Sequence, residues 1–297
     1  MSKILIIGAA NVDIIGVSKD ELIQYDSNPG SIEISVGGVA KNIAENLKRL
    51  SMDVSLLTFL GNDSFTDLVK ADLNSQGIDY SLSLNLDYPT GKFLSVHRSK
   101  GELDSGINDF DILDHITPEM FIPLESAIET FDYLVFDTNI PETVLTYLVT
   151  RFAHKQIIVD GVSQKKVIRI RPVLNRIGLL KVNQKELSSL IGAPADDIIL
   201  AVRELHKSGL KQIIVTNGAN PITYNIDKST YQTFIYEAKA NVSSIGCGDA
   251  LLSGTLYGLI QNKSMHEAIN YGKKAASMTM EVKTACHPEL SRQALEE

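Results

Sequence analysis

Six short apolar runs set the limits on what this chain can become: Ile4–Ile7, Val54–Phe59, Tyr133–Phe136, Ile157–Val159, Leu179–Val182 and Ile213–Val215. Each is strand length and lacks the polar alternation of a half-exposed strand, so each reads as a strand buried on both faces. Amphipathic helices fall between several of them. Val39, Ile43 and Leu47 recur at four-residue spacing with Lys41, Glu45 and Lys48 off that stripe, the pattern of a helix with one face on a core. Ser264 with Glu267 forms a capping box that opens a final long helix. The rhythm predicts an α/β fold with a mostly parallel central sheet and helices on both faces. Ligands of such sheets bind outside the carboxyl ends of the strands.

Two segments break the rhythm. Ile32–Val36 alternates strictly, and Lys92–Arg98 reads as a strand with no adjoining helix. Half-buried antiparallel strands alternate in this way. They predict either a small β-sheet projecting as a lid, with segments at about residues 14–36 and 86–110, or an ordinary edge hairpin. With 297 residues, 44% of them hydrophobic, the chain is expected to form one domain over 1–297.

Composition excludes some function classes. A net charge of −8 argues against a nucleic-acid partner or an anionic membrane surface, both of which need concentrated Lys and Arg. Cys247 and Cys286 lie far apart and form no metal-ligand spacing, which fits a reducing cytoplasm. The opening Met1–Gly8 has the look of a secretion signal, but its apolar run is short and Asn11 and Asp13 follow. A buried first strand is the expectation, and no span is long enough to cross a membrane.

Chemistry concentrates in Ser243-Ser244-Ile245-Gly246-Cys247-Gly248-Asp249-Ala250, which opens an apolar helix over Leu251–Ile260. First-turn N–H groups lack intrahelical partners and the helix dipole adds positive potential, so such a turn favours phosphate. Asp249 would stand beside the anion, placed to take a proton from an attacking hydroxyl; alternatively it complements the dipole. Gly37-Gly38-Val39-Ala40-Lys41-Asn42 opens the amphipathic helix and either admits a polar ligand or simply starts the helix. In Gly8-Ala9-Ala10-Asn11-Val12-Asp13, the carboxylate past the first strand could hold two neighbouring hydroxyls of a sugar, or be a solvated loop acid. Asn183 leaves a buried strand and Glu186 follows three residues on. That spacing suits ordering water around Mg²⁺, and equally suits a helix cap.

Taken in order and spacing, the Gly-Gly helix opening, the N-x-x-E, Thr216-Asn217-Gly218 and the G-x-G-D resemble the ribokinase-like (PfkB-type) family of small-molecule kinases, over nearly the whole chain. The resemblance implies ATP-dependent phosphorylation of a hydroxymethyl group. It implies Asp249 as base, with the amides at Gly246, Cys247, Gly248 and Asp249 as an anion hole. Asn183 and Glu186 would organise Mg²⁺, through water, together with the phosphates. Thr216 and Gly218 would line the nucleotide site, and Asp13, Gly38 and Asn42, with Asn11 and Gly37 beside them, would hold the sugar. A homodimer through the lid is expected as well.

A narrower likeness, to bacterial pseudouridine kinases, rests on Asp26-Ser27-Asn28-Pro29-Gly30, Gly37-Gly38-Val39 with Asn42-Ile43-Ala44, Ile107-Asn108-Asp109 and Asn139-Ile140. It implies transfer to the 5′-hydroxyl of free pseudouridine, with Asn28 and Asn108 reading the base and Asn139 also at the substrate. Three departures stand out. Ser243-Ser244-Ile245 replaces the family's Asp-Thr-x, which puts a monovalent-cation site in doubt. Cys247 replaces an alanine, and Thr66 a glycine. The alternatives are a ribose or other sugar kinase and a non-catalytic sugar- or nucleotide-binding protein. A dinucleotide-binding turn at Gly8-Ala9-Ala10 fails on spacing.

Overall fold

A computed structural model of the chain describes residues 2–99 and 102–297. Among them the strands are β1 (Lys3–Ile7), β2 (Asn11–Ser18), β3 (Gly30–Gly37), β4 (Asp53–Leu57), β5 (Phe59–Leu60), β6 (Leu84–Asn85), β7 (Lys92–His97), β8 (Leu103–Asp109), β9 (Tyr133–Asp137), β10 (Gln156–Asp160), β11 (Leu179–Asn183), β12 (Gln212–Asn217), β13 (Asn220–Ile226) and β14 (Ser229–Thr233). The large sheet has the order β14-β13-β12-β11-β10-β9-β1-β4. All its strands from β4 to β12 pair in parallel, and β13 and β14 add an antiparallel edge. The α/β fold expected from the apolar runs is therefore present.

Both faces of this sheet are covered, which is why its strands carry near-continuous apolar runs. On one side Leu5 and Ile7 join Leu134, Phe136, Val159 and Leu180 in a buried cluster. On the other Ile4 and Ile6 pack with Ile43, Leu47, Leu252 and Leu256, from the helices Val39–Arg49 and Cys247–Ile260. No helix among the described residues is long and apolar enough to cross a membrane.

The structure redraws some boundaries. The run Val54–Phe59 is interrupted at Thr58: β4 ends at Leu57 and β5 starts at Phe59, pairing with β6 instead. The break has a use, since the Thr58 hydroxyl accepts a hydrogen bond from the Ala10 amide at 2.9 Å and so braces the loop after β1. The helix at 251–260 begins earlier, at Cys247.

A separate four-stranded sheet runs β3-β2-β7-β8, with β2–β7 parallel and the other pairs antiparallel. Its first strand starts at Asn11, so Asp13 lies within a strand and not in a loop. The half-burial expected of Ile32–Val36 is not found: residues 31–35 are exposed and only the inner end of β3 is covered. One row across this sheet aligns Ile34, Ile14, Leu94 and Ile107, and its outer members are open, with Ile34 52% and Ile107 66% exposed.

Candidate active site

Parallel strands deliver their last residues to one end of the sheet. β9 ends in Asp137, β10 in Asp160 and β11 in Asn183. Asp137 is fully buried. Its carboxylate accepts the amides of Ala9 at 3.0 Å, Ala40 at 3.2 Å and Asn139 at 2.9 Å. One acid thereby ties together the loop after β1, the start of the helix Val39–Arg49 and the loop after β9. Burial raises its pKa against the pull of these donors. Asp160 accepts from the Val162 amide at 2.9 Å and pairs with Lys181 Nζ at 3.0 Å.

The helix Cys247–Ile260 points its N-terminus at this cluster. Gly246 takes a left-handed conformation with φ 76°, and a side chain there would collide with the Ala285 carbonyl, so only glycine is free of strain. A Cβ on Gly248 would stand 2.5 Å from Lys181 Nζ. The Cys247 amide closes the turn onto the Ser244 carbonyl at 3.3 Å. The Gly248 and Asp249 amides have no protein partner among the described residues, leaving two donors for an anion. Burial and the neighbouring Asp160 lift the pKa of Asp249 to about 7, against the attraction of Lys181 and a 2.9 Å hydrogen bond from Asn42 Nδ2. Such a carboxylate is a competent base near neutrality. Burial and Asp249 together push the Cys247 thiol up to about 11, so it remains a neutral filler.

Asn183 and Glu186 form a full capping box on the helix Gln184–Ile191, with Asn183 Oδ1 accepting the Glu186 amide and Glu186 Oε2 the Asn183 amide, both at 2.9 Å. The capping role is thus real. Burial nonetheless raises the pKa of Glu186, despite the pull of Lys181. No cluster of three or more His, Cys, Asp or Glu side chains able to hold a metal occurs among the described residues. One buried carboxylate and an amide fit a Mg²⁺ ion that keeps most of its waters and takes phosphate oxygens as its other ligands. Thr216 lies near the end of β12. Gly218 follows in the turn to β13, with φ 57° and open space where a side chain would begin.

Asp13 lies on β2, where Asn11 Nδ2 donates to it at 2.6 Å. Burial raises its pKa to about 6, against Asn11 and the Lys41 ammonium. Gly37 packs against that carboxylate, and Gly38 follows with φ 108° at the turn into the helix carrying Asn42. A cavity of about 330 Å³ opens between the end of β8 and the loops after β9 and β10. Asn108, Phe110, Asn139, Lys166 and Arg169 line it, together with Asp109, Asp111 and Asp114. Lys166 Nζ donates to Asn139 Oδ1 at 2.6 Å and lies 4.8 Å from the Phe110 ring centre. Asn28 belongs elsewhere. Its Oδ1 accepts the Ile23 amide and its Nδ2 serves the Ile23 and Asp26 carbonyls, at 2.7 to 3.0 Å. It caps its own turn beyond the Ser18–Gly30 end of the β2–β3 pair. That is five residues past Asp13, or roughly 16 Å along the strand. The expectation that it reads a base is corrected: turn chemistry claims every polar atom of its side chain.

Sequence reasoning missed Asp137, Asp160, Lys181 and Lys166. The first two end strands read as apolar runs, and a carboxylate at a parallel strand's C-terminal end was a usable signal. Lys181 inside the apolar Leu179–Val182 was another.

The fold, the glycine-framed helix N-terminus and the acid beside it define a class, and comparison places the chain in it. The pfkB family carbohydrate kinase profile matches residues 1–292, and the chain belongs to that family. It is a sugar or nucleoside kinase, a phosphotransferase with an alcohol group as acceptor. Among individual proteins it is 30% identical to the pseudouridine kinase of Escherichia coli (strain K12) over 293 residues, covering 97% of this chain and 93% of that one. It is also 30% identical to the guanosine-inosine kinase of Exiguobacterium acetylicum, over 93% of this chain and 94% of that one. A carbohydrate kinase structure from Agrobacterium tumefaciens superposes with a TM-score of 0.87 at 28% identity, covering 100% of this chain and 96% of that one.

Proposed function

We propose that the chain is an ATP-dependent kinase that phosphorylates the 5′-hydroxyl of free pseudouridine. The observation that carries the choice of acceptor is the cavity at the end of β8, whose lining residue Asn108 lies in register with Asp13 across β7. Phe110 offers a ring a flat apolar contact there, Lys166 a donor for a carbonyl, and Asn108, Asp109 and Asp111 acceptors for ring N–H groups. A pseudouracil ring has two carbonyls and two N–H groups, one more N–H than uracil attached through nitrogen. The similarity to the Escherichia coli pseudouridine kinase supports the same reading.

In the mechanism, Asp13 and Asn11 hold the ribose hydroxyls and Asn42 holds Asp249 in place. Asp249 accepts the 5′-hydroxyl proton as that oxygen attacks the γ-phosphorus; the new O–P bond forms as the bond to the leaving ADP oxygen breaks. The Gly248 and Asp249 amides take the charge that develops on the phosphoryl oxygens. Bound Mg²⁺, oriented by Glu186 and Asn183, would neutralise phosphate charge. The small sheet serves as a lid over the sugar, limiting water at the reacting phosphate. Its exposed aliphatic row, Ile34 and Ile107 at the edges, fits a second copy of this chain and hence a homodimer. A reducing cytoplasm suits the two free cysteines. The reading is tested by incubating the protein with ATP, Mg²⁺ and pseudouridine and following phosphorus-31 NMR. A new phosphomonoester coupled to the 5′-methylene protons is expected, whereas phosphate on another hydroxyl, or none, refutes it.

A further inference from the structure

Lys181 occupies a place that a lysine rarely takes. It is the third residue of β11, a strand buried within the parallel sheet, and its side chain is only 9% exposed. Burying an ammonium costs several kcal/mol, and pairing it with one carboxylate commonly no more than offsets that cost. The Asp160 pair is therefore not by itself a reason for the residue to be there. Position supplies one. The ammonium lies against the turn that frames the anion hole, because a Cβ on Gly248 would meet Nζ at 2.5 Å. Among the described residues Asp160 alone lies within ion-pair distance of it, at 3.0 Å, while Asp249 and Glu186 attract it from farther off. An ammonium has three N–H donors, so two remain unspent beside the unpaired Gly248 and Asp249 amides.

The charges around it sharpen the point. Asp137, Asp160, Glu186 and Asp249 are all buried at this end of the sheet. A polyphosphate arriving there meets like charge, and at short range in a poorly hydrated site such repulsion is large. Lys181 is the buried cation among these acids.

We infer that Lys181 is a catalytic residue that donates hydrogen bonds to the non-bridging oxygens of the transferred γ-phosphoryl group, with Asp160 as the positioning residue that fixes its ammonium under Gly248. The inference rests on the phosphoryl-transfer reading above. Lys181 keeps all three protons throughout, since Asp249 takes the one released by the acceptor. Its contact is with the γ-phosphoryl group alone, which ADP lacks.

That difference gives a test without turnover. Calorimetry with Mg²⁺ compares β,γ-methylene-ATP with ADP for the wild type, Lys181→Met, and the double variant Lys181→Met/Asp160→Asn. The double variant removes both buried charges and so keeps the test available if the single one does not fold. In whichever variant retains the wild-type circular dichroism, the triphosphate analogue is expected to bind about tenfold more weakly or worse, and ADP within about threefold of wild type, the scale of one charge-assisted hydrogen bond. Equal losses for both nucleotides, or none for either, overturn the role of Lys181. Wild-type protein that binds neither nucleotide overturns the kinase reading instead.

Discussion

The two sides of the cleft are built by opposite means. At the phosphoryl end, Asp137, Asp160, Lys181, Glu186 and Asp249 are buried on strand ends and one helix start, and each has a protein partner. At the acceptor end, Asp13 is only partly covered, Asn108 is exposed, and the strands around them belong to a small sheet with an open outer face. A buried, mutually bonded end fixes the geometry of the reaction, whereas an exposed end can change its ligand at little cost to the fold. Substitutions at the first end should therefore strike kcat, and those at the second the choice of substrate.

The largest effect is expected from Asp249→Asn, which should lower kcat by ~10²-fold or more while leaving nucleoside binding near wild type. Retained turnover in folded protein would remove Asp249 from the chemistry and with it the contrast. Because Asp249 must be ionised to act and its pKa in the ligand-free protein is about 7, wild-type kcat/KM, which reports the free enzyme, should fall as the pH drops through 7. A flat profile from pH 5.5 to 8.5 speaks against that assignment.

Next in size is substrate choice. A pocket acceptor that loses the extra N–H of pseudouridine is left unsatisfied at a cost of about 1–3 kcal/mol. Asn108→Ala should raise KM for pseudouridine by about tenfold and narrow its lead over uridine, whereas Lys166→Met should raise KM for both nucleosides alike, with kcat changed far less in either variant. Equal falls in kcat for both nucleosides would place these residues at the reaction centre instead.

Stability should show a smaller effect of opposite sign. The raised pKa of Asp249 means the folded state holds its proton more tightly than the unfolded chain, where the value is 3.8. Ionisation thus costs stability progressively as the pH rises from about 4 toward 7. Ligand-free Asp249→Asn should melt above wild type at pH 8, by a few degrees, and the gap should close toward pH 4. A gap independent of pH would mean that the gain arises from packing. Glu186→Gln should raise the Mg²⁺ concentration needed for half-maximal rate several-fold. An unchanged titration would restrict Glu186 to its cap. The smallest difference is expected between Na⁺ and K⁺ buffers of equal ionic strength. Ser243 stands where an acid would attract a monovalent cation, so strong K⁺ activation would reveal a site built from other oxygens.

What could be read from the chain follows the same division. Strands buried on both faces announce themselves, and β1, β9, β10 and β11 fall where their apolar runs place them. The β13–β14 hairpin was hidden because Pro221 and the buried Asn225 break its pattern. The Asn225 side chain accepts from Ile213 and donates to the Lys211 and Asp227 carbonyls, replacing backbone contacts that no periodicity reports. Gly246, Gly248 and Asp249 were legible together because the turn demands them in sequence. The Lys181–Asp160 pair was not, since it joins two strands and becomes visible only when β10 and β11 lie side by side. Asn28 shows the reverse error, a polar residue near a suggestive motif whose atoms are consumed by its own turn.

The central claim is that a fixed phosphoryl-transfer end is joined to an acceptor end fitted to a C-linked uracil ring. Its most direct test is kcat/KM from ADP release with ATP and Mg²⁺, measured in parallel for pseudouridine, uridine, inosine and ribose. The account predicts pseudouridine first, ahead of uridine by roughly ten- to hundredfold. Uridine, inosine or free ribose used as well as pseudouridine would contradict it.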